Sequence, residues 1–227
     1  MGTTLAYLRD IRSNYIRENW TYDRYYWNEF NYSILENCIS YESKGKNGKS
    51  YNDITMMIDT ETSKPQSHDV IDNHIVIWTL SIRLFDIDIA TLYGRKPSEL
   101  IECINLILKE LKGQYTIFYA HNLTYDYTFL RKFFFREYGY PVEELNVKSH
   151  YPIQIKFENG LILKDSLILA QRSLEKWASD LKVPAQKQTG KWDYDKIRNQ
   201  NTPLSDSEKE YIEHDTLAGV ECLDKLM

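Results

Sequence analysis

The sequence has few cysteines, no long apolar run and no excess of positive charge, and each absence excludes a class of protein. The three cysteines, Cys38, Cys103 and Cys222, are scattered and form no C-x-x-C pair. This argues against a zinc site and a disulfide framework, and it favours reduced thiols. No apolar run approaches the length of a membrane span, and the N-terminus lacks a signal-peptide pattern. We therefore expect a soluble, cytoplasmic protein with no membrane partner.

The net charge of −5 does not indicate a protein that coats DNA, because such proteins are usually basic. An enzyme that holds a few nucleotides through metal ions and stacking needs only a local positive channel. Aromatic residues, by contrast, are abundant at 14%, with 18 tyrosines. Many of these rings must be partly exposed, where flat amphipathic groups suit stacking or interfaces.

Residues 54–63 are the stretch on which the interpretation depends. An apolar run through Met57 and Ile58 predicts a buried strand that leads directly into Asp59 and Glu61. On an extended backbone, residues two apart face the same side, so the two carboxylates point together. Like charges side by side repel, and a divalent cation such as Mg²⁺ between them would relieve the repulsion. An Asp-x-Glu in a solvated turn is the simpler alternative when the motif is taken alone.

The remaining pattern predicts an α/β fold. Apolar spacing indicates helices over about residues 3–18, 97–111, 173–181 and 205–226, and another that contains Asp126 and Phe129. Strands are predicted over residues 74–84, 86–91 and 114–120, with a hairpin of 153–157 and 161–164, while residues 62–73 form a polar loop. This order predicts a mixed sheet between helices.

Residues 1–50 differ from the rest of the chain. They combine the first helix with an aromatic cluster over residues 22–30 and a flexible linker over 43–49. The cluster is either a docking surface or the core of a small cap, and we favour the core. We expect an N-terminal helical and aromatic extension over 1–50 and the main domain over 51–227.

Two further acidic residues, Asp126 and Asp215, could join Asp59 and Glu61 in one site. Asp126 follows Asn122 at the start of a helix, and Asp215 lies four residues after Tyr211, on the same face of the last helix. Each taken alone reads as a solvated surface charge. The order Asp-x-Glu, Asn-x-x-x-Asp and Tyr-x-x-x-Asp, however, resembles the tyrosine-bearing DEDD exonucleases of the RNase H-like superfamily. The histidine-bearing variety would need His at position 210, which is Glu210.

Further segments resemble the proofreading domain of protein-primed family B DNA polymerases of phages and linear plasmids. They are His121-Asn122-Leu123-x-Tyr125-Asp126-x-x-Phe129, Asp165-Ser166-Leu167, Lys191-Trp192-Asp193-Tyr194-Asp195 and Thr202-Pro203-Leu204. The resemblance covers about residues 53–226. We expect no polymerase domain within this chain, since no stretch remains for one.

The resemblance implies a role for each matching residue. Asp59, Glu61 and Asp215 would hold one Mg²⁺ or Mn²⁺ ion, Asp59 and Asp126 a second, and Tyr211 would orient the attacking water. The residues implied to grip the single-stranded 3′ end are Thr62, His121, Asn122, Tyr125, Phe129, Ser166 and Leu167. Tyr125 and Phe129 also suit base stacking on chemical grounds, although Phe129 fits core packing equally well.

One segment departs from the family. The lysine that would stabilise the phosphate is offset, so that either Lys187 or Lys191 could serve, and we list Lys187 among the catalytic residues. The first hypothesis is a viral-type 3′–5′ exonuclease with two metal ions, acting on single-stranded DNA ends beside a polymerase domain or a terminal protein. The alternatives are a free-standing DEDD exonuclease on DNA or RNA, and a non-catalytic module that binds nucleic acid or a partner.

Overall fold

A computed structural model of the chain describes residues 2–42, 48–64, 74–186, 192–193 and 195–226, without the side chains of residues 2–4. The helices are α1 (Gly2–Asn19), α2 (Pro97–Glu110), α3 (Leu123–Tyr138), α4 (Leu167–Ala170), α5 (Leu174–Leu181) and α6 (Asp206–Leu226). The strands are β1 (Asp23–Tyr26), β2 (Ser40–Glu42), β3 (Ser50–Asn52), β4 (Ile54–Ser63), β5 (His74–Leu84), β6 (Ile87–Gly94), β7 (Thr116–Ala120), β8 (Glu143–Lys148), β9 (Tyr151–Lys156) and β10 (Leu161–Asp165). Two 3₁₀ helices, Trp27–Glu29 and Tyr32–Asn37, follow β1.

Eight strands form one mixed sheet in the order β1-β6-β5-β4-β7-β10-β9-β8. Strands β4, β7 and β10 are parallel, so their carboxyl ends meet at one edge of the sheet. Strand β1 is parallel to β6, and the other neighbours in the sheet are antiparallel. The predicted α/β fold, with a mixed sheet flanked by helices, is confirmed.

The helices cover both faces of the sheet. On one face, α2 and α3 pack over the larger core, which includes Met56 and Ile58 of β4. On the other face, α5 and α6 pack over a smaller core that includes Met57. Alternate residues of β4 therefore enter different cores, as the period of two of a strand requires.

Local chemistry explains where the helices begin. Pro97 occupies the first turn of α2, where its missing N–H costs nothing. The Glu99 carboxylate accepts hydrogen bonds from the main-chain N–H groups of Arg95 and Lys96 at 2.7 and 3.0 Å. The Ser173 hydroxyl accepts from the Lys176 N–H and so caps α5.

Most predicted elements are confirmed, with small shifts at their ends. The strand predicted over residues 86–91 is β6, which extends to Gly94. In the predicted hairpin, the first strand begins at Tyr151 and the second ends at Asp165. Thr62 and Ser63 belong to β4 rather than to the predicted loop. Residues 65–73 of that loop and residues 43–47 of the predicted linker lie outside the described residues.

The N-terminal segment contributes directly to the main sheet. Strand β1 pairs with β6, and the Trp20 indole donates to the Ile89 carbonyl at 2.8 Å. Phe30 is buried in the larger core, with the Tyr25 and Tyr32 rings packed against it. The expectation that this aromatic cluster forms the core of a separate cap is therefore wrong, because the cluster packs into the core of the sheet.

Across the described part of the chain, we find no helix with both the length and the apolar character needed to cross a bilayer.

Candidate active site

The close approach of α6 to β4 brings two acidic segments together. Gly219 lies directly over Met57: a Cβ at Gly219 would be 1.9 Å from the Met57 sulfur. Helix α6 makes this approach because its surface lacks a side chain at that point. Four residues of helix span about 6 Å and two residues of strand about 6.6 Å. Asp215, one turn before Gly219, therefore reaches the level of Asp59, two residues after Met57.

Asp59, Glu61 and Asp215 form a carboxylate cluster on the α6 face of β4. One oxygen from each carboxylate lies within 4.8 Å of the other two. Glu61 and Asp215 are buried, with 7% and 3% of their surface exposed, and Asp59 is partly exposed. Hard carboxylate oxygens at this spacing suit a divalent cation such as Mg²⁺. The cluster therefore has the donor set and the compactness of a metal site.

Asp126 lies beside β4 but outside this cluster. Its carboxylate accepts a hydrogen bond from the Thr60 hydroxyl at 2.6 Å, and its side chain is buried. Thr60 faces α3, the opposite side of the strand from Asp59 and Glu61. A small cavity lined by Ile58 and Leu130 borders the carboxylate. That Asp126 is a metal ligand stays a prediction.

The surroundings of Asp126 weaken its acidity. Burial raises the pKa of Asp126 to about 7, and the nearby Asp165 adds to this effect. Hydrogen bonds from the Thr60 hydroxyl and from the main chain of Thr60 oppose it. The carboxylate is therefore held in a buried, largely apolar position by its hydrogen bond with Thr60.

Tyr211 lies one turn before Asp215 on α6 and is 5% exposed. Its ring stacks on Trp192, with centroids 6.5 Å apart and planes at 23°. The predicted lysines, Lys187 and Lys191, lie outside the described residues. Tyr211 is thus close to the carboxylate cluster along α6, and its role stays a prediction.

Three of the residues predicted to grip DNA form one patch near the end of β4. The Thr62 and Tyr125 hydroxyls are hydrogen bonded at 2.7 Å. The Tyr125 and Phe129 rings meet edge to face with centroids 5.2 Å apart. Tyr125 is 44% exposed, whereas Phe129 is half-buried against the larger core. Tyr125 therefore offers a ring for stacking, and Phe129 packs between this ring and the larger core.

The other four lie at the carboxyl ends of β7 and β10. His121 forms hydrogen bonds with the Ser166 hydroxyl and the Arg172 carbonyl, both at 3.1 Å. The Asp165 carboxylate accepts from the main-chain N–H groups of Asn122 and Leu167 at 3.2 and 2.7 Å. Asn122 has a φ of 77°, which it tolerates better than most residues.

These contacts divide the four by accessibility. Asn122 and Leu167 line a groove of about 260 Å³ together with Asp165. Ser166 is fully buried, so it supports His121 rather than presenting its hydroxyl at the surface. Asp165 fixes this loop by its two hydrogen bonds.

Comparison with known proteins agrees with this geometry. Residues 107–218 match the family described as DNA polymerase type B, organellar and viral. This match agrees with the resemblance to family B DNA polymerases that the sequence predicts. The matched segment includes Asp126, Tyr211 and Asp215 but not Asp59 and Glu61, which the fold brings beside Asp215.

Solved structures of a family B polymerase share the fold. Phi29 DNA polymerase complexed with single-stranded DNA matches with a TM-score of 0.58 at 20% identity, over 75% of this chain. Its ternary complex with primer-template DNA and incoming nucleotide gives 0.58 at 19%, again over 75%, and its orthorhombic form 0.56 at 20%, over 74%. The chain spans 30% of the length of that polymerase. No curated protein sequence matches the chain.

The site also contains an arginine that the sequence analysis did not single out, beside a tryptophan that it named only as part of a segment. Trp192 lies against Tyr211, and Arg198 lies against Trp192 with its guanidinium carbon 4.2 Å from the ring centroid. Arg198 is 1% exposed and pairs with Glu208. No sequence signal marks Arg198, since arginine in a polar segment is normally exposed.

Proposed function

We propose that the protein is a 3′–5′ exonuclease with two divalent metal ions, Mg²⁺ or Mn²⁺, acting on single-stranded DNA 3′ ends. It would serve as the proofreading domain of a family B polymerase. The observation that carries the proposal is the cluster of Asp59, Glu61 and Asp215 within 4.8 Å. The family match and the shared fold of phi29 DNA polymerase support it.

Asp59, Glu61 and Asp215 would hold one ion, and Asp59 with Asp126 the other. Two such ions stabilise charge on the attacking and leaving oxygens of a phosphodiester. Burial of Glu61 and Asp215 keeps water from competing for their oxygens and strengthens their attraction for a cation.

The remaining residues would hold the substrate and the attacking water. The Tyr211 phenol, backed by Trp192, would accept or donate a hydrogen bond to the water and so fix its direction. The exposed Tyr125 ring would stack on a terminal base, which contributes roughly 1–3 kcal/mol independently of sequence. Asn122 and Leu167 would line the path of the strand, and His121, held by Ser166, would contact its backbone. Lys187 would stabilise the phosphate.

In this proposal the domain acts beside a polymerase domain and, as in the protein-primed polymerases that the sequence resembles, a terminal protein. Phi29 DNA polymerase, which shares the fold, is complexed with single-stranded DNA in one solved structure and with primer-template DNA in another. The polymerase domain and the terminal protein are both proposed from the resemblance to protein-primed polymerases.

The direct test follows the degradation of a 5′-labelled single-stranded oligonucleotide in Mg²⁺. Stepwise shortening from the 3′ end is expected for the wild type, and none for Asp59→Ala. Glu102→Ala, an exposed carboxylate on α2, is the matched control and should retain full activity. Equal products from wild type and Asp59→Ala would contradict the proposal.

Two further outcomes separate the alternatives. Preferred cleavage of a 5′-labelled RNA of the same sequence would favour a free-standing exonuclease over a proofreading domain. Binding of the DNA without cleavage, in Mg²⁺ and in Mn²⁺, would favour a non-catalytic module.

A further inference from the structure

Arg198 is a buried cation at the centre of a set of contacts that converge on Tyr211. Its guanidinium donates to the Asp193 and Lys196 carbonyls at 2.6 and 3.1 Å and to the Glu208 carboxylate. The same group lies over the Trp192 ring, with its central carbon 4.2 Å from the ring centroid, and makes a cation–π contact. A fully buried arginine is costly unless it is paired, so these contacts fix its position.

Glu208 links Arg198 to the start of α6. One carboxylate oxygen binds Arg198, and the other accepts from the Ser205 N–H at 2.8 Å, while the Ser205 hydroxyl accepts from the Glu208 N–H at 3.2 Å. This reciprocal pair is a capping box. Burial alone would raise the pKa of Glu208, but hydrogen bonds from Arg198 and Ser205 lower it to about 2. Glu208 thus remains ionised, one turn before Tyr211.

The main chain of Arg198 is tied to the strands that carry and flank the carboxylates. Its N–H donates to the Ser63 hydroxyl at 2.8 Å, and its carbonyl is hydrogen bonded to the His74 ring at 2.9 Å. Ser63 is two residues after Glu61 on β4. One residue therefore connects the strand bearing Asp59 and Glu61 with the helix bearing Tyr211 and Asp215.

We propose that Arg198 is a positioning residue, which sets the Tyr211 phenol relative to the carboxylate cluster through Trp192 and Glu208. This inference rests on the proposed exonuclease function. Arg198 does not reach the substrate; it presses the Trp192 ring against Tyr211 and holds the first turn of α6. A planar, forked cation is needed, because lysine cannot both stack and form the same set of hydrogen bonds.

The test is a double-mutant cycle between Arg198→Lys and Tyr211→Phe, read as kcat and KM on the labelled oligonucleotide. Arg198→Lys should lower kcat between about 10- and 100-fold, the range for misplacement of a reacting group, with KM changed less than about twofold. In the Tyr211→Phe background, the same substitution should cause almost no further loss, because Arg198 acts through the phenol. Mn²⁺ affinity by calorimetry should be unchanged.

Arg95→Lys is the matched control. Arg95 donates to the Asn199 and Thr202 carbonyls of the same segment and to the Val76 carbonyl of β5. Any loss of kcat that it causes should be equal in the wild-type and Tyr211→Phe backgrounds. If Arg198→Lys does not fold, Trp192→Phe replaces it in the cycle, with a smaller loss of kcat expected and the same non-additivity.

The two proposals fail in different ways. A wild type that does not cleave overturns the exonuclease, and with it this inference. A wild type that cleaves, with Arg198→Lys losses that are equal in both backgrounds or that appear in KM alone, overturns the positioning role and leaves the exonuclease intact.

Discussion

The two faces of β4 hold their carboxylates in different ways. On the α6 face, Asp59, Glu61 and Asp215 are already grouped within 4.8 Å. On the α3 face, Asp126 is turned towards the Thr60 hydroxyl and borders an apolar cavity. Both arrangements bury acids, but only the first brings several ligand oxygens to one point.

We therefore expect the two proposed metal ions to meet different sites: the first has its carboxylates already grouped, and the second does not. The first site is built by backbone packing, because the Gly219–Met57 contact sets the level of Asp215 on the strand. At the second, Asp126 is engaged by the Thr60 hydroxyl in a buried position, and we expect it to give up this hydrogen bond when it binds a metal ion. We therefore expect one ion to bind tightly and the other weakly, in the order that preorganisation predicts.

The largest effect should come from Asp215→Asn, which breaks the assembled site. Removal of one of its three carboxylates should abolish tight Mn²⁺ binding by calorimetry. It should lower kcat more than about 100-fold, the upper value for the loss of a residue that only supports a ligand. Asp126→Asn is the matched substitution on the other face and should retain the tight site. Equal loss of tight binding in both variants would contradict the distinction between the faces.

A second prediction concerns the packing that assembles the first site. Gly219→Ala places a methyl group against the end of the Met57 side chain, which is 1% exposed and would have to repack within the core. Overpacking of this kind lowers the free energy of unfolding by about 1–3 kcal/mol, and it should weaken Mn²⁺ binding because α6 is pushed away from β4.

A double-mutant cycle tests this contact. The free energy of unfolding in urea is measured for the wild type, Gly219→Ala, Met57→Ala and the double variant. The cost of Gly219→Ala should shrink in the Met57→Ala background, since the shorter side chain makes room for the methyl group. If Gly219→Ala costs the same free energy of unfolding in both backgrounds, the contact between Gly219 and Met57 does not set the distance between the helix and the strand.

The sequence predicts the elements whose patterns are strong. Strand β5 and helix α6 follow from long periodic segments, and the joint orientation of Asp59 and Glu61 follows from the period of a strand. Strand β8 was not predicted because its alternation is short, with Leu145 and Val147 as its only apolar residues, and every residue in it is exposed. Strand β1 is only four residues long and is defined by its pairing with β6.

The site is less predictable than the fold because side-chain directions depend on tertiary neighbours. Spacing and resemblance select Asp126 and Asp215 equally, yet only Asp215 joins the cluster, while Asp126 accepts a hydrogen bond from Thr60 on the other face of β4. No sequence pattern predicts the burial of Arg198, because it depends on contacts with Trp192 and Glu208 that form only on folding.

The smallest and most specific effect should come from Thr60→Val, which removes the hydroxyl that holds Asp126 while keeping the shape of the side chain. The carboxylate then loses a hydrogen bond that we expect it to give up when it binds a metal ion, so binding of the second, weaker Mn²⁺ ion should tighten a few-fold. Calorimetry well above pH 7 measures this with the carboxylate ionised, since the pKa of Asp126 is about 7. Thr60→Ser keeps the hydroxyl and should behave as the wild type. If Thr60→Val instead weakens the second ion, then Thr60 orients Asp126 for the metal, and the α3 face is as preorganised as the other.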